Sequence, residues 1–196
     1  MKVAVIGAGR VGTAVGVLLT RAGHRLIAVS GRGPTRDRAA RYLPDVAVRE
    51  PEDAARDAEL VILGVPDDLV APMTASLAGA GAVGAGAYVA HLSGALGLDA
   101  LERALDVGAH RFAIHPLQTF PDVVHAVEGI PGCAVAVTAD DEQGYLVAER
   151  IADDLLGEPF RLADGLRPLY HAAAVLASND LVAVSALAAE AFVRQT

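Results

Sequence analysis

Residues 2–12 of the chain are KVAVIGAGRVG, an apolar run that leads into three glycines and then into a helix-forming segment. The run has the character of a buried strand, and the glycines have the G-x-G-x-x-G spacing. In such a turn the first glycine permits the tight bend, the second lets a pyrophosphate approach, and the third lets the helix pack on the strand. This context favours a dinucleotide-binding loop over a glycine turn that binds nothing. The predicted loop consists of Gly7, Ala8, Gly9, Arg10, Val11 and Gly12.

The end of the second predicted strand decides between the two nicotinamide cofactors. An NAD site usually carries Asp or Glu about 20 residues after the loop, where the carboxylate binds the ribose 2′-hydroxyl. Here that place holds Ser30, followed by Gly31 and Arg32, and the first carboxylate is Asp37. A hydroxyl and a guanidinium bind a 2′-phosphate, which a carboxylate would repel. We therefore predict NADP(H) as the cofactor, with Ser30 and Arg32 as ligands. The alternative is that Arg32 belongs to a solvated basic turn.

Short apolar runs alternate with helical patterns through most of the chain. This predicts an α/β fold with a Rossmann-type, mostly parallel, doubly wound sheet. The predicted strands are residues 2–6, 25–30, 47–48, 60–65, 87–92, 111–114, 133–138 and 159–162. The predicted helices are residues 11–22, 35–43, 51–56, 69–77, 98–107 and 141–156. We assign residues 1–164 to an NADP-binding Rossmann domain.

After residue 164 the pattern becomes helical, over residues 166–194, and is apolar on nearly all sides. We expect residues 165–196 to begin an all-helical C-terminal dimerisation and substrate domain, which is either cut short here or completed by a partner chain. Residues 172–177 and 181–189 are too apolar to face water on a lone helix. A homodimer through the C-terminal helices is therefore expected, because twofold dimers are the commonest closed assemblies.

The composition disfavours several partners. A formal net charge of −8 and a pI near 5.1 argue against nucleic acid, because an acidic surface repels phosphate backbones. Cys133 is the only cysteine, so no disulfide can form within the chain, and a reducing, cytoplasmic location is expected. The first residues do not form a signal peptide, and glycines interrupt the Ala-rich segment 71–90, so no membrane partner is expected.

The composition and spacing also exclude several kinds of chemistry. Lys2 is the only lysine and opens the first strand, at the end opposite the expected site, so lysine-based catalysis is not available. The six histidines lack H-x-x-x-H and H-E-x-x-H spacing, so no metal site is predicted. Ser93 has no G-x-S-x-G elbow, which excludes a serine hydrolase.

In an open parallel sheet, ligands bind beyond the carboxyl ends of the strands. The fourth predicted strand leads into Gly64, Val65 and Pro66, and we expect this turn to border the ribose of the cofactor. Either Asp67 or Asp68, which follow, is expected to cap the next helix.

Polar side chains also follow the fifth and sixth predicted strands, at Ser93 and His115. A hydroxyl and an imidazole beside a nicotinamide suit a dehydrogenase, in which one group orients the substrate and the other moves a proton. We predict that His115 transfers the proton and that Ser93 orients the substrate. The alternative for His115 is a structural histidine before a proline turn, and for His91 a structural role is favoured.

A further predicted helix places His171, Val175 and Asn179 on one face, at i, i+4 and i+8. Polar residues on an otherwise apolar helix need hydrogen-bond partners. His171 and Asn179 either face the cofactor cleft, as candidate catalytic residues, or form hydrogen bonds within the helical core. Both alternatives stay open.

Four segments carry a family resemblance: GVPD at 64–67, LSG at 92–94, HPLQ at 115–118 and the helix 171–179. Together they resemble the 6-phosphogluconate dehydrogenase superfamily, near pyrroline-5-carboxylate reductase and prephenate dehydrogenase. More narrowly, they resemble an uncharacterised family of Rossmann-like proteins with a C-terminal domain of unknown function. The resemblance implies a substrate site between an N-terminal Rossmann domain and a helical dimerisation domain.

The resemblance also bears on individual residues. Prephenate dehydrogenases carry a serine after the fifth strand and a His-Pro at the end of the sixth, and Ser93 and His115-Pro116 match that pattern. Several relatives use a Lys-x-x-x-Asn pair on the first helix of the second domain. Asn179 matches the asparagine, but Val175 stands where the lysine would be.

These observations predict an NADP(H)-dependent oxidoreductase that transfers hydride to or from a small carbonyl, imine or hydroxy compound. The alternative is a non-catalytic NADP(H)-binding sensor or regulatory protein, since fold alone does not decide function.

Overall fold

The computed structural model describes residues 1–193, without the side chains of Asn179 and of residues 191–193. Within this range the strands are β1 (Lys2–Ile6), β2 (Arg25–Ser30), β3 (Ala47–Val48), β4 (Leu60–Leu63), β5 (Tyr88–His91), β6 (His110–Pro116), β7 (Ala134–Ala139) and β8 (Glu158–Arg161). They form one sheet in the order β3-β2-β1-β4-β5-β6-β7-β8.

The helices flank this sheet and continue beyond it. They are α1 (Arg10–Arg21), α2 (Thr35–Tyr42), α3 (Pro51–Ala55), α4 (Asp67–Gly79), α5 (Glu102–Leu105), α6 (Val123–Gly129), α7 (Glu142–Asp154), α8 (Arg167–Val175) and α9 (Leu181–Val193). Short 3₁₀ helices cover Leu98–Leu101 and Asp164–Leu166, and a π-helical turn over Leu176–Asp180 joins α8 to α9.

The strand order confirms the predicted α/β fold with a mostly parallel, doubly wound sheet. Strands β1 to β6 are parallel neighbours, and the winding direction reverses between β1 and β4, which is where such sheets bind ligands. Strand β7 pairs antiparallel with β6, and β8 is parallel to β7. Beyond β6, the sheet therefore continues with two strands, β7 and β8, that run antiparallel to the others.

The core lies in two layers, one on each face of the sheet. Along β1, Val3 and Val5 pack into the layer that includes α1 and α7, whereas Ile6 packs into the layer that includes α3 and α4. This alternation follows from the two-residue repeat of a strand, and both layers are apolar because helices cover both faces.

The C-terminal helices lie outside these layers. Along α9 the side chains from Leu181 to Glu190 are exposed, including Val182, Val184 and Leu187. The helical stretch Asp164–Glu190 is long and apolar enough to cross a membrane, by length and composition only. A helix that packs against another protein chain has the same composition, so this measure alone does not decide between the two. The predicted domain division at residue 164 stays a prediction, as does the part of the predicted helix at Arg194, which lies outside the described residues.

The structure differs from the sequence predictions at several elements. Asp67 and Asp68 do not cap α4, because Pro66 holds the N-cap position and the aspartates form the first turn. The predicted helix 98–107 is a 3₁₀ turn followed by the four-residue α5. Strand β6 continues two residues past its predicted end, because His115 and Pro116 pair with β7. Helix α6 has no counterpart among the predicted helices.

Candidate active site

The turn between β1 and α1 has the geometry that its glycines predict. Gly7 has a φ of +90°, in the left-handed region that favours glycine. The N–H groups of Gly7 and Ala8 both donate to the carbonyl of Ser30, at 2.8 Å, which ties the turn to the end of β2. Gly9 caps α1 without any side-chain hydrogen bond. The first N–H groups of α1 therefore have no side-chain cap, as a phosphate-binding helix end requires.

Close backbone contacts require glycine at positions 7 and 12, whereas position 9 borders open space. A Cβ on Gly7 would lie 2.6 Å from the backbone of Gly64 and Val65, and a Cβ on Gly12 would lie 2.5 Å from the Gly7 carbonyl oxygen. A Cβ on Gly9 would meet nothing closer than 3.9 Å. Gly7 and Gly12 therefore pack tightly against neighbouring backbone, whereas the space beside Gly9 is open and fits a pyrophosphate.

A cleft of about 480 Å³ starts at this turn and passes the ends of β2 and β4. Seven of the residues predicted to bind the cofactor line it: Gly7, Ala8, Gly9, Ser30, Arg32, Val65 and Pro66. The other three, Arg10, Val11 and Gly12, form the first turn of α1 and are not among its lining residues. The Arg10 side chain instead donates to the carbonyl of Pro121, at 3.2 Å, in the segment after β6.

The far end of the cleft carries both basic and acidic groups. Arg32 lines it and is exposed, so its guanidinium is available to a ligand. Arg38 also lines it, but donates to the carbonyl of Ala8 at 2.7 Å and so supports the loop. Glu50, which caps α3, brings a carboxylate to the same end. Neither the role of Arg38 nor the position of Glu50 was predicted.

The end of β4 is linked to the end of β5 through Asp67 and Ser93. The Ser93 hydroxyl donates to Asp67 at 2.8 Å and accepts the N–H groups of Ala95 and Leu96 at 3.2 and 3.1 Å. Its hydrogen and both lone pairs are therefore engaged within the protein. For Ser93 to orient a substrate, as predicted, its hydroxyl would have to leave Asp67. In this structure Ser93 holds the turn after β5.

His115 lies near the end of β6 beside a second cavity, of about 420 Å³. Its Nδ1 lies 3.0 Å from the hydroxyl of Tyr170 on α8, and its ring contacts that of His171 edge-on, at 5.9 Å between centroids. The cavity is lined by His115, Leu117, Gln118, Thr119, Phe120, His171, Ala174, Val175, Ala177 and Ser178. It therefore lies between the carboxyl end of β6 and the first C-terminal helix.

Burial keeps two histidines neutral near this cavity. Desolvation, with smaller contributions from Arg167 and His171, lowers the pKa of His115 to about 4. Desolvation and Arg167 lower the pKa of His91 to about 3, and its Nε2 lies 3.3 Å from the carbonyl of Gly97. Both imidazoles are uncharged at neutral pH, so each carries a single N–H.

Arg167 is fully buried where α8 meets the sheet. Its guanidinium donates to the carbonyls of Ser93 and Leu96 and to the hydroxyl of Thr138, the last at 2.9 Å. Desolvation lowers the pKa of this guanidinium, but the group stays cationic at neutral pH. One side chain thus joins α8, the turn after β5 and strand β7.

The structure describes the side chain of His171 but not that of Asn179. His171 lines the cavity beside His115, and its Nδ1 is buried without a hydrogen-bond partner among the described residues. The side chain of Asn179 lies outside the described part of the chain. The π-helical turn Leu176–Asp180 adds a residue to the helical repeat, and Ser178 lines the cavity. The predicted shared face of His171 and Asn179 stays a prediction.

Sequence reasoning missed Tyr170 and Arg167. Both belong to the segment Arg167-Pro168-Leu169-Tyr170 just before His171, and a charged residue at the start of an apolar helix was the available signal. Over the described residues, no group of three or more His, Cys, Asp or Glu side chains could hold a metal ion.

Comparisons with known proteins agree with this geometry. The Rossmann-like domain model matches residues 1–116, and the model of a domain of unknown function, DUF2520, matches residues 133–196. No curated protein matches the sequence.

Solved structures share the fold at low identity. A Bacteroides fragilis protein provisionally called an NADP oxidoreductase has 21% identity and a TM-score of 0.81, over 99% of this chain and 73% of its own. Arogenate dehydrogenase from Synechocystis has 18% identity and a TM-score of 0.69, over 85% and 61%. An imine reductase from Streptomyces aurantiacus has 22% identity and a TM-score of 0.69, over 93% and 64%.

At these identities the likeness shows the fold alone, and the chain spans less than two thirds of the last two proteins. Prephenate dehydrogenase and pyrroline carboxylate reductase are also among the structural neighbours, consistent with the predicted superfamily. The chain belongs to the Rossmann-like domain family and continues into a DUF2520 segment.

Proposed function

We propose that this protein is an NADP(H)-dependent oxidoreductase acting on a small carbonyl, imine or hydroxy compound, with His115 as the proton-transferring residue. The observation that carries the proposal is the position of His115, in a cavity at the carboxyl end of the same parallel sheet whose β1, β2 and β4 ends form the cofactor cleft. A nicotinamide cofactor bound in that cleft would supply or accept the hydride.

The chain offers a continuous path between the cleft and the cavity. Val65 and Pro66 line the cleft, and Asp67 follows them and binds Ser93. Gly94, the next residue, contacts the His115 ring so closely that a Cβ there would lie 2.8 Å from Nε2. A ligand that extends from the glycine loop past Val65 would therefore approach His115, as hydride transfer requires.

Separate groups of the protein bind the cofactor and transfer the proton. The glycine loop and the start of α1 bind phosphates, while Ser30 and Arg32 are available for a 2′-phosphate. His115 exchanges a proton with the substrate oxygen or nitrogen. The other predicted catalytic residues remain proposals: His171 and Asn179 as walls of the substrate cavity, and Ser93 as a substrate contact only if it leaves Asp67.

His115→Asn tests the proposal. Losing a general acid–base typically lowers turnover by about 10²–10⁴-fold. We expect that loss in NADPH oxidation with a panel of small keto acids and cyclic imines, with NADPH affinity unchanged. His125→Asn is the matched control, because His125 is an exposed histidine on α6 whose side chain bonds Asp122 within its own turn.

Two results would contradict the proposal. Wild-type turnover in His115→Asn would make His115 structural. Tight NADPH binding by the wild-type chain, with no turnover across the panel, would favour the non-catalytic sensor.

A further inference from the structure

Tyr170 holds His115 through its hydroxyl and through its ring. The hydroxyl lies 3.0 Å from His115 Nδ1, and within the described residues it has no other hydrogen-bond partner. The two rings meet edge-on, with centroids 5.6 Å apart and an interplanar angle of 87°. Phe160 packs on the other side of Tyr170, with centroids 5.9 Å apart. These contacts leave the Tyr170 hydroxyl little freedom to turn away from His115.

The proton positions of this pair follow from the partners that are present. Burial raises the pKa of the Tyr170 hydroxyl, so the phenol keeps its proton. The Tyr170 hydroxyl can donate to Nδ1 of His115, which lies within hydrogen-bond distance of it. A neutral imidazole carries one N–H, and an Nδ1 that accepts leaves that N–H on Nε2.

The Nε2 atom of His115 lies close to the position that a Cβ on Gly94 would occupy. A Cβ on Gly94 would lie 2.8 Å from His115 Nε2 and 2.6 Å from His171 Nδ1, so the two imidazole nitrogens converge on that point. The His171 Nδ1 is buried and has no hydrogen-bond partner among the described residues. Among the described residues, none with a formal charge lines the cavity that these histidines border. The His115 donor therefore faces a cavity without charged lining, and the nearby charge is the buried guanidinium of Arg167 behind it, which disfavours a charged imidazole.

We propose that Tyr170 is a positioning residue that fixes His115 as the Nε2–H tautomer, and that the cavity receives a substrate whose reacting group is a carbonyl. This inference rests on the proposed function and names its substrate class, because an N–H donor on Nε2 binds a carbonyl oxygen and stabilises it as it becomes an alkoxide. Hydride from a reduced nicotinamide dinucleotide forms the new C–H bond, and the C=O pair moves onto oxygen. That oxygen takes the Nε2 proton while Nδ1 takes the Tyr170 proton. The Nδ1 proton then returns to the phenolate and solvent reprotonates Nε2, which restores the starting tautomer.

Long-range ¹H–¹⁵N NMR of the wild-type chain tests the tautomer directly, with His115→Gln used to assign the signals. We expect a protonated, pyrrole-like Nε2 and an unprotonated, pyridine-like Nδ1. In Tyr170→Phe the two nitrogens should move toward the averaged shifts of a mixed tautomer. Tyr145→Phe is the control, because Tyr145 lies on α7 and its ring stacks against Arg161.

A wild-type signal with the proton on Nδ1, or identical His115 signals in wild type and Tyr170→Phe, would overturn the inference. The wild-type spectrum decides the tautomer even if Tyr170→Phe does not fold. It is also independent of turnover, so it separates this inference from the proposed function, which fails if the wild-type chain does not oxidise NADPH.

Kinetics supply the second readout. Tyr170→Phe should lower kcat for carbonyl reduction by about tenfold, the order expected for one lost hydrogen bond, and should leave KM and NADPH affinity within about twofold. An effect on KM alone, or an equal loss of NADPH affinity, would show that Tyr170 only supports the fold.

Discussion

Arg167 carries a positive charge into the interior and forms no ion pair among the described residues. Its partners are two carbonyls in the turn after β5 and one hydroxyl on β7. A buried cation disfavours protonation of nearby imidazoles, and it is a cause of the lowered pKa of both His91 and His115. The same residue therefore assembles the site and keeps its histidines neutral.

These lowered pKa values predict a loss of stability in mild acid. The folded-state values near 3 for His91 and near 4 for His115 lie below the unfolded value of about 6.5. Between these values the unfolded state binds more protons, so the free energy of unfolding falls as pH falls from about 6.5 towards 4. We expect each histidine to cost about 2 kcal/mol between pH 7 and pH 5.

Urea unfolding at these two pH values measures the effect. Replacing His115 with Gln should remove its share of the pH dependence, while His125→Gln on α6 should leave the dependence unchanged. The groups that face His115 are Tyr170, His171 and Arg167 on α8, with His91 on β5. If the free energy of unfolding falls by the same amount between pH 7 and pH 5 in wild type and in His115→Gln, groups other than His115 cause the pH dependence.

We propose that a preference for NADP(H) over NAD(H) depends on Arg32. A charge-assisted contact to a 2′-phosphate contributes roughly 1.5–3 kcal/mol, or about one to two decades of affinity. We expect Arg32→Ala to weaken NADPH binding by that factor and to leave NADH binding nearly unchanged, as measured by fluorescence titration of both cofactors.

Arg41→Ala is the matched control, since Arg41 lies at the end of α2 and stacks on Tyr42. Glu50→Gln tests the opposite possibility, because Glu50 could bind a ribose hydroxyl from the same end of the cleft. Equal affinity of the wild-type chain for NADPH and NADH would contradict the NADP(H) proposal.

At the level of elements, α9 exposes apolar side chains that nothing in the described chain covers. Leu181, Val182, Val184 and Leu187 are each at least 60% exposed. Burying such side chains stabilises a protein by roughly 1.5–3 kcal/mol each, so the helix has a strong reason to pack against another surface. We propose a second copy of this chain as that surface, as the apolar run predicted.

Leu181→Glu tests this dimer. We expect the wild-type chain to be a dimer by multi-angle light scattering at micromolar concentration, and Leu181→Glu to be a monomer. Leu146→Glu on α7 should remain a dimer, because Leu146 is equally exposed, at 60%, but lies on a different helix. A monomeric wild type, or flotation of the wild-type chain with lipid vesicles, would contradict the proposal.

At the scale of the whole molecule, local patterns predicted most of the sheet. The apolar runs at 2–6, 25–30 and 47–48 are strands with the predicted ends, since glycines and charged residues flank them. The antiparallel direction of β7 was not predictable in the same way, because a strand buried on both faces has the same pattern in either direction.

The candidate site was predictable only in part. The glycine loop is a local motif, and its turn geometry was foreseen. The hydrogen bond from Tyr170 to His115 spans 55 residues and the one from Arg167 to the Ser93 carbonyl spans 74, and neither leaves a periodic signal. The engagement of Ser93 with Asp67 depends on how β4 and β5 align, which a single sequence does not specify.

The antiparallel pairing of β6 with β7 also bears on how this architecture is inherited. The Rossmann-like match ends at residue 116 and the DUF2520 match begins at 133, so the two segments meet between strands that share one hydrogen-bond ladder. Separating them would bare an apolar edge on each fragment, and such edges aggregate. We therefore expect the first strands of the DUF2520 segment and the Rossmann sheet to fold as one unit and to be inherited together.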